Sequence, residues 1–462
     1  MTKQEAVINY ISENYLAFNR LRHDVISDKL QVRCAHSLSA PHNATSILGD
    51  PAVDAASGYS LEVIGTENWR EMTKHDINSI VCHCAQEYDA NITSREVMTA
   101  LQSDLIPDVH PLREYIQSLR PYTPEQPDWI DFVAQQVRVR DSGSNGSNGS
   151  KGSKGEDTFG TSGTFRTSST KADRLWRVCF KKWFVAMVAS WMKDEVVNHQ
   201  VLVLIGRQGI YKTTWLEHLL PPHLRAYACK LANSNDLNKD ERLRIAEFGL
   251  ISLDEIDSMN NRELNQLKSV ITASDVNERA AYAYTKERRV RLASFCASGN
   301  RRDFLTDITG NRRWLPFEVE SILNPFYTTL PYDLMYAQAW ALAQDPLFGY
   351  WFDLNEIEVL EQHNQHFRDE SNEEQLLDVY FAVPSTDASN AKFLTTAEIS
   401  ERLIYYGNIK KPMTLSRLGV LLSQKGFLSV RRGNPSRRGW IIYERESQEV
   451  NSERSILSKD LY

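Results

Sequence analysis

A lysine followed by two hydroxyl residues, Lys212-Thr213-Thr214, closes the run Gly206-Arg207-Gln208-Gly209-Ile210-Tyr211. A run of this kind cradles phosphate. Glycine lets successive backbone N–H groups converge on the oxygens, lysine reaches the β- and γ-phosphates, and a hydroxyl ligates Mg²⁺. Gly206, Gln208, Gly209, Ile210, Tyr211, Lys212, Thr213 and Thr214 are therefore the expected nucleotide contacts, and the chemistry is binding and hydrolysis of a nucleoside triphosphate. One position departs from the common G-x-x-x-x-G-K-[ST] form, because Tyr211 stands where glycine usually precedes the lysine. That bears on the shape of the loop and so on nucleotide affinity.

Other reactive residues follow in order. Asp254 and Glu255 end the apolar run Leu250-Ile251-Ser252-Leu253. Mg²⁺ keeps most of its waters and accepts one or two carboxylates beside phosphate, so Asp254 joins Thr213 as an expected metal ligand. Glu255 is placed to orient or deprotonate the attacking water. Asn300, delivered after the β-compatible run 290–298, can hydrogen-bond the γ-phosphate or that water. Arg312 and Arg313 follow the turn Thr309-Gly310-Asn311, and an always-charged, bidentate guanidinium suits a transition-state finger supplied by a neighbouring subunit.

These residues need strands that end together. Val201-Leu202-Val203-Leu204-Ile205 reads as a buried strand before the loop, and Trp215-Leu216-Glu217-His218-Leu219-Leu220 as the helix after it. In open α/β sheets ligands bind outside the carboxyl ends of the strands, which is where Lys212, Asp254 and Asn300 all fall.

With these motifs in place the chain resembles the virulence-associated protein E family, itself similar to superfamily 3 helicases and primase-helicases within the AAA+ ATPases. The resemblance rests on Gly206-Arg207-Gln208-Gly209 with Lys212-Thr213-Thr214, on Leu253-Asp254-Glu255-Ile256-Asp257, on Leu267-Lys268-Ser269-Val270-Ile271-Thr272, on Ser298-Gly299-Asn300 and on the stretch 304–314. It covers roughly residues 175–319 and implies a ring-forming, DNA-dependent ATPase of a mobile genetic element or prophage. It implies ATP and Mg²⁺ as cofactors, Asn300 as polar sensor, Arg312 or Arg313 as finger, a homo-oligomer of hexameric type, and priming by a separate primase chain. Between the second and third motifs the resemblance implies a DNA-contacting hairpin. Here that interval, 278–289, interleaves Tyr282 and Tyr284 with Lys286, Arg288 and Arg289, as a backbone-tracking surface requires.

The chain has 462 residues, 42% hydrophobic and 24% charged, the composition of a soluble multidomain protein. Its longest apolar stretch, 183–192, is too short to span a bilayer, and the amino terminus lacks a signal-peptide pattern, so the expected location is the cytoplasm with no membrane partner. Of the six cysteines only Cys82-His83-Cys84 cluster, without a second pair at zinc-site spacing. The net charge of −7 argues against nucleic acid only on average, because residues 392–446 carry eleven Lys and Arg against four Glu.

The fold expected is α/β, with an AAA+ or superfamily 3 P-loop core between an amino-terminal α/β accessory domain and a carboxyl-terminal winged helix. The accessory domain is placed at 1–140, with helices at 2–14, 77–88 and 94–103 and strand character over 18–32. Residues 141–171 hold seven of the 21 glycines with many Ser and Asn, a composition that cannot bury apolar area, and read as a flexible linker or a cloning insert. The ATPase core is placed at 172–355, opening on a long apolar-faced helix and closing on a helical, aromatic segment from 324, followed by a connector at 356–391. Over 392–446, Thr395-Thr396-Ala397-Glu398 starts one helix and Pro412 opens a second. Strands at 427–430 and 439–443 form a wing whose turn is flanked by Arg431, Arg432, Arg437 and Arg438, all expected to meet DNA phosphates. Residues 447–462 are left as a tail. The readings that follow are an ATP-dependent DNA helicase acting on single strands, an origin-duplex-binding initiator or loader, or a nucleotide-stabilised regulatory assembly.

Overall fold

The computed structural model describes residues 2–33, 69–88, 91–141, 170–231, 239–278, 287–305, 311–368, 371–384, 390–410, 412–432, 436–445 and 450. Most of the expected linker, Lys286, the turn at Thr309 and Gly310 and the tail apart from Val450 lie outside the described residues. The fold is mixed α/β with several sheets, divided into one unit of residues 1–301 and 312–360 and a second of 302–311 and 361–462.

The first unit opens on helix Lys3–Asn14, which a capping box of Thr2 and Glu5 starts by satisfying its first free N–H groups. Strands Trp69–Glu71, Lys29–Arg33, Leu21–Asp24 and Asp108–Val109 lie side by side in that order, the last pair parallel and the others antiparallel. Helices Lys74–Glu87 and Ser94–Leu101 pack with the first helix around Val7, Ile11, Leu21, Ile80 and Val97.

The larger core of this unit surrounds a six-stranded sheet in the order Val137–Val139, Trp314–Ile322, Val201–Ile205, Ser294–Gly299, Leu250–Leu253, Ala228–Leu231. Every adjacent pair is parallel except the first. Central parallel strands are covered on both faces, which is why Val201–Ile205 and Leu250–Leu253 are fully buried and read as unbroken apolar runs. Helix Lys171–Met192 buries Trp176, Phe180, Trp183, Phe184 and Trp191 against the sheet. Its indole N–H groups find carbonyls there: Trp183 Nε1 donates to Phe295 at 3.1 Å and Trp191 Nε1 to Gly249 at 3.1 Å. A buried indole needs such a partner, and these two fix the helix to the strands that carry Asp254 and Asn300.

The expected boundary at 140 does not separate two cores. Leu112, Ile116, Ile130 and Val133 belong to the larger core, and strand Val137–Val139 pairs antiparallel with Trp314–Ile322 as an edge of its sheet. A three-residue edge strand far from its partner in the chain leaves too little periodicity to be recognised. The helical, aromatic segment expected from 324 is likewise shorter, with its helix confined to Tyr332–Gln344 before a second at Leu354–Asn364.

In the second unit, helices Asn372–Tyr380, Thr396–Gly407 and Leu415–Gln424 enclose Leu377, Ile399, Leu403, Leu418, Leu422, Trp440 and Ile442. Strand Arg437–Glu444 pairs with Leu428–Arg432, Lys392–Leu394 and Phe381–Ala382, each antiparallel. Thr395 and Glu398 form the expected capping box. The next helix begins after Pro412, with Thr414 as its N-cap, because a threonine hydroxyl supplies the acceptor that proline lacks. The hairpin strands run further than expected and take in all four arginines, so Arg431 faces Arg438 and Arg432 faces Arg437 within the ladder.

Candidate nucleotide-binding site

Because strands Val201–Ile205, Leu250–Leu253 and Ser294–Gly299 are parallel, their following residues emerge at one edge of the sheet. Gly206 N–H donates to Gly299 O at 3.1 Å, which fixes the start of the loop against the end of the neighbouring strand. Gln208, Gly209, Tyr211, Lys212, Thr213, Thr214, Asp254, Glu255, Ser298, Gly299 and Asn300 line a cleft of about 290 Å³ there. The first three expected motifs thus converge.

Gly209 has φ of +83°, a left-handed conformation glycine adopts without strain. Tyr211 has φ of +66° and ψ of +18°, so it occupies the left-handed backbone that a glycine would supply at this place. The loop therefore keeps its shape despite the substitution, at a cost of roughly 1 to 2 kcal/mol for the side chain. That side chain does not fill the cleft: its ring lies edge-on to Phe326, with centroids 6.5 Å apart.

Lys212 is 6% exposed. Its ammonium donates to Gly206 O and Arg207 O, both at 2.7 Å, and to Asn300 Oδ1 at 3.3 Å. Burial lowers its pKa, against the pull of the Asp257 and Asp254 charges. All three contacting oxygens are neutral, so among the described residues a desolvated cation faces the cleft with no carboxylate in contact.

Beside it three oxygens cluster. Ser298 Oγ donates to Asp254 Oδ1 at 2.7 Å, Thr213 Oγ1 to the same oxygen at 3.2 Å, and the two hydroxyls are 2.9 Å apart. Lys230 Nζ stands 3.0 Å from Asp254 Oδ2. Burial works to raise the Asp254 pKa, but the Ser298 hydrogen bond and the Lys230 ion pair outweigh it and the net shift is downward. The carboxylate is therefore ionised at neutral pH. Glu255, with φ of +52°, is exposed on the cleft wall.

Sequence reasoning missed three of these residues. Ser298 precedes Gly299 on a strand, and Lys230 sits at the end of the strand beside Asp254; either was recoverable only once the parallel register was known. Asp257, quoted in a motif but given no role, has a side chain 8% exposed that accepts from the backbone N–H of Asn300 and of Arg301, both at 3.1 Å. It brackets the turn that holds Asn300 in place.

Arg312 and Arg313 are not in the cleft. They occupy the turn before Trp314, which pairs with Val201, so they lie at the amino-terminal edge of the strands. Their charges act on His199, just before that strand, whose pKa is lowered by burial first and then by Arg291, Arg313 and Arg312. Strand Val201–Ile205 separates the two edges by about 13 Å at 3.3 Å per residue.

The expected DNA-contacting residues are placed unevenly. Strands Asp275–Glu278 and Glu287–Val290 pair antiparallel at the base of the interval expected to contact DNA, whose residues 279–286 lie outside the described residues. Arg288 is ion-paired to Asp275 at 2.8 Å, and Arg289 to Asp28 and to Glu247, both at 3.5 Å. These two arginines are engaged within the chain. At its root Arg291, 1% exposed, donates to the carbonyls of Ala293, Asn198, Ala273 and Ile271, the last two at the end of helix Asn261–Thr272. Burial lowers its pKa to about 9, which leaves it cationic at pH 7. Arg431, Arg432, Arg437 and Arg438 are all exposed, and placing like charges directly opposite destabilises a ladder unless an anion intervenes. Among the described residues no helix is long and apolar enough to cross a membrane.

Comparison with known proteins finds a domain match for the central part of the chain. No curated protein matches it. Among solved structures, the apo NrS-1 C-terminal region is 10% identical, with a TM-score of 0.44 over 96% of this chain and 100% of that one. Its A form is also 10% identical, with a TM-score of 0.42 over 96% and 99%. Residues 157–370 match the virulence-associated protein E-like domain.

Proposed function

We propose that the chain is a Mg²⁺-dependent ATPase that acts on DNA, with a P-loop core of AAA+ or superfamily 3 type, a carboxyl-terminal winged helix, and helicase activity in the replication of a mobile element or prophage. The observation that carries this reading is Lys212: a buried ammonium held by neutral oxygens, beside the Thr213, Ser298 and Asp254 oxygens, needs an anion to complete it. A triphosphate meets that need. The oxygen-only donor set suits Mg²⁺, with Thr213 and Asp254 the residues that would hold it. Bound Mg²⁺ would supply charge neutralisation on the phosphates.

In this reading the 206–211 loop wraps the phosphates and Lys212 turns from its carbonyls toward them. Glu255, exposed beside Asp254, directs a water at the γ-phosphate and takes its proton. Asn300, held by Asp257, senses the same phosphate through its side chain. Arg312 or Arg313, on the far edge of the sheet, serves a neighbour's site, which makes a ring the natural assembly. The arginines of the 428–444 hairpin hold DNA phosphates.

Turnover of ATP with and without single-stranded DNA tests the reading. DNA-stimulated, Mg²⁺-dependent hydrolysis that is abolished in Lys212→Ala is expected; hydrolysis at the wild-type rate in that variant would refute it.

A further inference from the structure

We propose that Tyr211 and Phe326 form a stacking shelf for the base of the bound nucleotide, so that the site takes purine nucleoside triphosphates with little choice between adenine and guanine. The inference rests on the reading of the cleft as a triphosphate site. It adds where the base goes and what recognises it.

Topology fixes the direction. Asp254, Glu255 and Ser298 lie on the side of strands Leu250–Leu253 and Ser294–Gly299, so the terminal phosphates and their metal belong there. Strand Trp314–Ile322 flanks Val201–Ile205 on the opposite side. The rest of a nucleotide held at Lys212 must leave toward that second side. Tyr211, adjacent to Lys212 and itself lining the cleft, points there, and Phe326 follows the end of the Trp314–Ile322 strand.

What stands at that exit is aromatic and open. The Tyr211 and Phe326 rings meet at 81°, and the His218 ring meets Phe326 at 84° with centroids 5.7 Å apart. Phe326 is 68% exposed and Tyr327, the next residue, is 89% exposed. Asn324 ties the group together, donating to the Tyr211 hydroxyl at 3.4 Å and accepting from the Phe326 N–H at 3.0 Å. The strain at Tyr211 points the same way: a glycine would hold φ of +66° freely, so the tyrosine brings to the loop a ring and nothing the backbone needs. Flat π-faces recognise any base by stacking, more strongly for the larger purines, and without reading its hydrogen-bonding edge.

The test compares ligands that differ only in the base. In Phe326→Ala the KM for ATP should rise on the order of tenfold with kcat little changed, as loss of one stacking ring does. Competition by inorganic tripolyphosphate, which has no base, should be unaltered. Phe326→Trp should restore ATP affinity, and its fluorescence should be quenched by ATP and GTP but not by tripolyphosphate. Because Phe326 is mostly exposed, neither change removes a core contact. An ATP KM within twofold of wild type in Phe326→Ala, with wild-type turnover intact, overturns the shelf and leaves the triphosphate site standing. A wild-type protein that neither binds tripolyphosphate nor hydrolyses any nucleotide overturns both.

Discussion

Removing the Asp257 carboxylate should uncouple binding from turnover. Its two oxygens accept from the Asn300 and Arg301 N–H groups at 3.1 Å each, and its backbone carbonyl takes the Arg301 guanidinium at 2.6 Å. Hydrogen bonds to a charged acceptor contribute about 1.5 to 3 kcal/mol each when buried. Asn300 and Arg301 are exposed, so water replaces part of what is lost, and Asp257→Ala should cost about 2 to 3 kcal/mol of stability in all. The effect on catalysis is larger in proportion. Asn300 reaches Lys212 only while its turn is bracketed, and a displacement of about 1 Å can cost on the order of a hundredfold in rate. Lys212 keeps its two loop carbonyls in the variant and loses at most the 3.3 Å contact to Asn300, so ATP affinity should fall by no more than about fivefold, the worth of one neutral hydrogen bond of about 1 kcal/mol. The assay is steady-state ATP turnover paired with equilibrium nucleotide binding and urea unfolding. Asp257→Asn, which retains one acceptor, should fall between. Gly299→Ala should resemble Asp257→Ala, because its Cβ would lie 2.8 Å from Asp257 Oδ1 and from Ile205 Cδ1. Turnover within twofold of wild type in Asp257→Ala would show that the bracket does not position Asn300 for the reaction.

Glu255→Gln should retain ATP binding in a filter assay and lose hydrolysis by a factor on the order of a hundred or more, as removal of a water-directing group does. Asp254 has a lowered pKa, so its charge is present above the usual carboxylate range and is lost only as pH falls below it. Mg²⁺-dependent nucleotide binding should therefore persist through the usual carboxylate range and fail only at lower pH, and Ser298→Ala should move that failure upward. Inactive Arg313→Ala subunits mixed with inactive Lys212→Ala subunits should recover turnover if the finger acts between subunits; no recovery at any ratio would assign the role to Arg312 or complete the site within one chain. Replacing Arg431, Arg432, Arg437 and Arg438 together by Ser should flatten the slope of log affinity against log salt by about two to three units while basal turnover is unchanged.

Features written in local sequence were legible. The strand before Gly206, the carboxylates after Leu253 and the capping box at Thr395 each follow from a few consecutive residues, and each stands where expected. What was not legible depends on register between distant segments. Asp257 looks like one more acid after a strand until the parallel pairing brings Gly299 beside it. Arg291 falls within the β-compatible run 290–298 and carries no signal of its own, yet it is buried as the cap of helix Asn261–Thr272, because only the fold gathers four carbonyls around it. Val137–Val139 fails for the same reason, as its partner lies across the linker. The arginines of the 428–444 hairpin were found by type, but their cross-strand pairing needed the ladder.

One strand links the pieces of the proposed mechanism. Trp314–Ile322 starts directly after Arg312 and Arg313 and ends just before Asn324 and Phe326. Nine extended residues span roughly 30 Å; Trp314 to Glu318 pair with Val201–Ile205 and Val319 to Ile322 with Val137–Val139, with a shift of register between Val319 and Ser321. If the arginines enter a neighbour's site while the aromatic shelf holds this chain's own base, the strand is the covalent link between two nucleotide sites. A change in how the base is held would then be carried toward the finger along this one strand. The consequence separates the shelf from a passive contact: Phe326→Ala should weaken cooperativity between sites as well as affinity, whereas Lys212→Ala should remove activity from its own site alone.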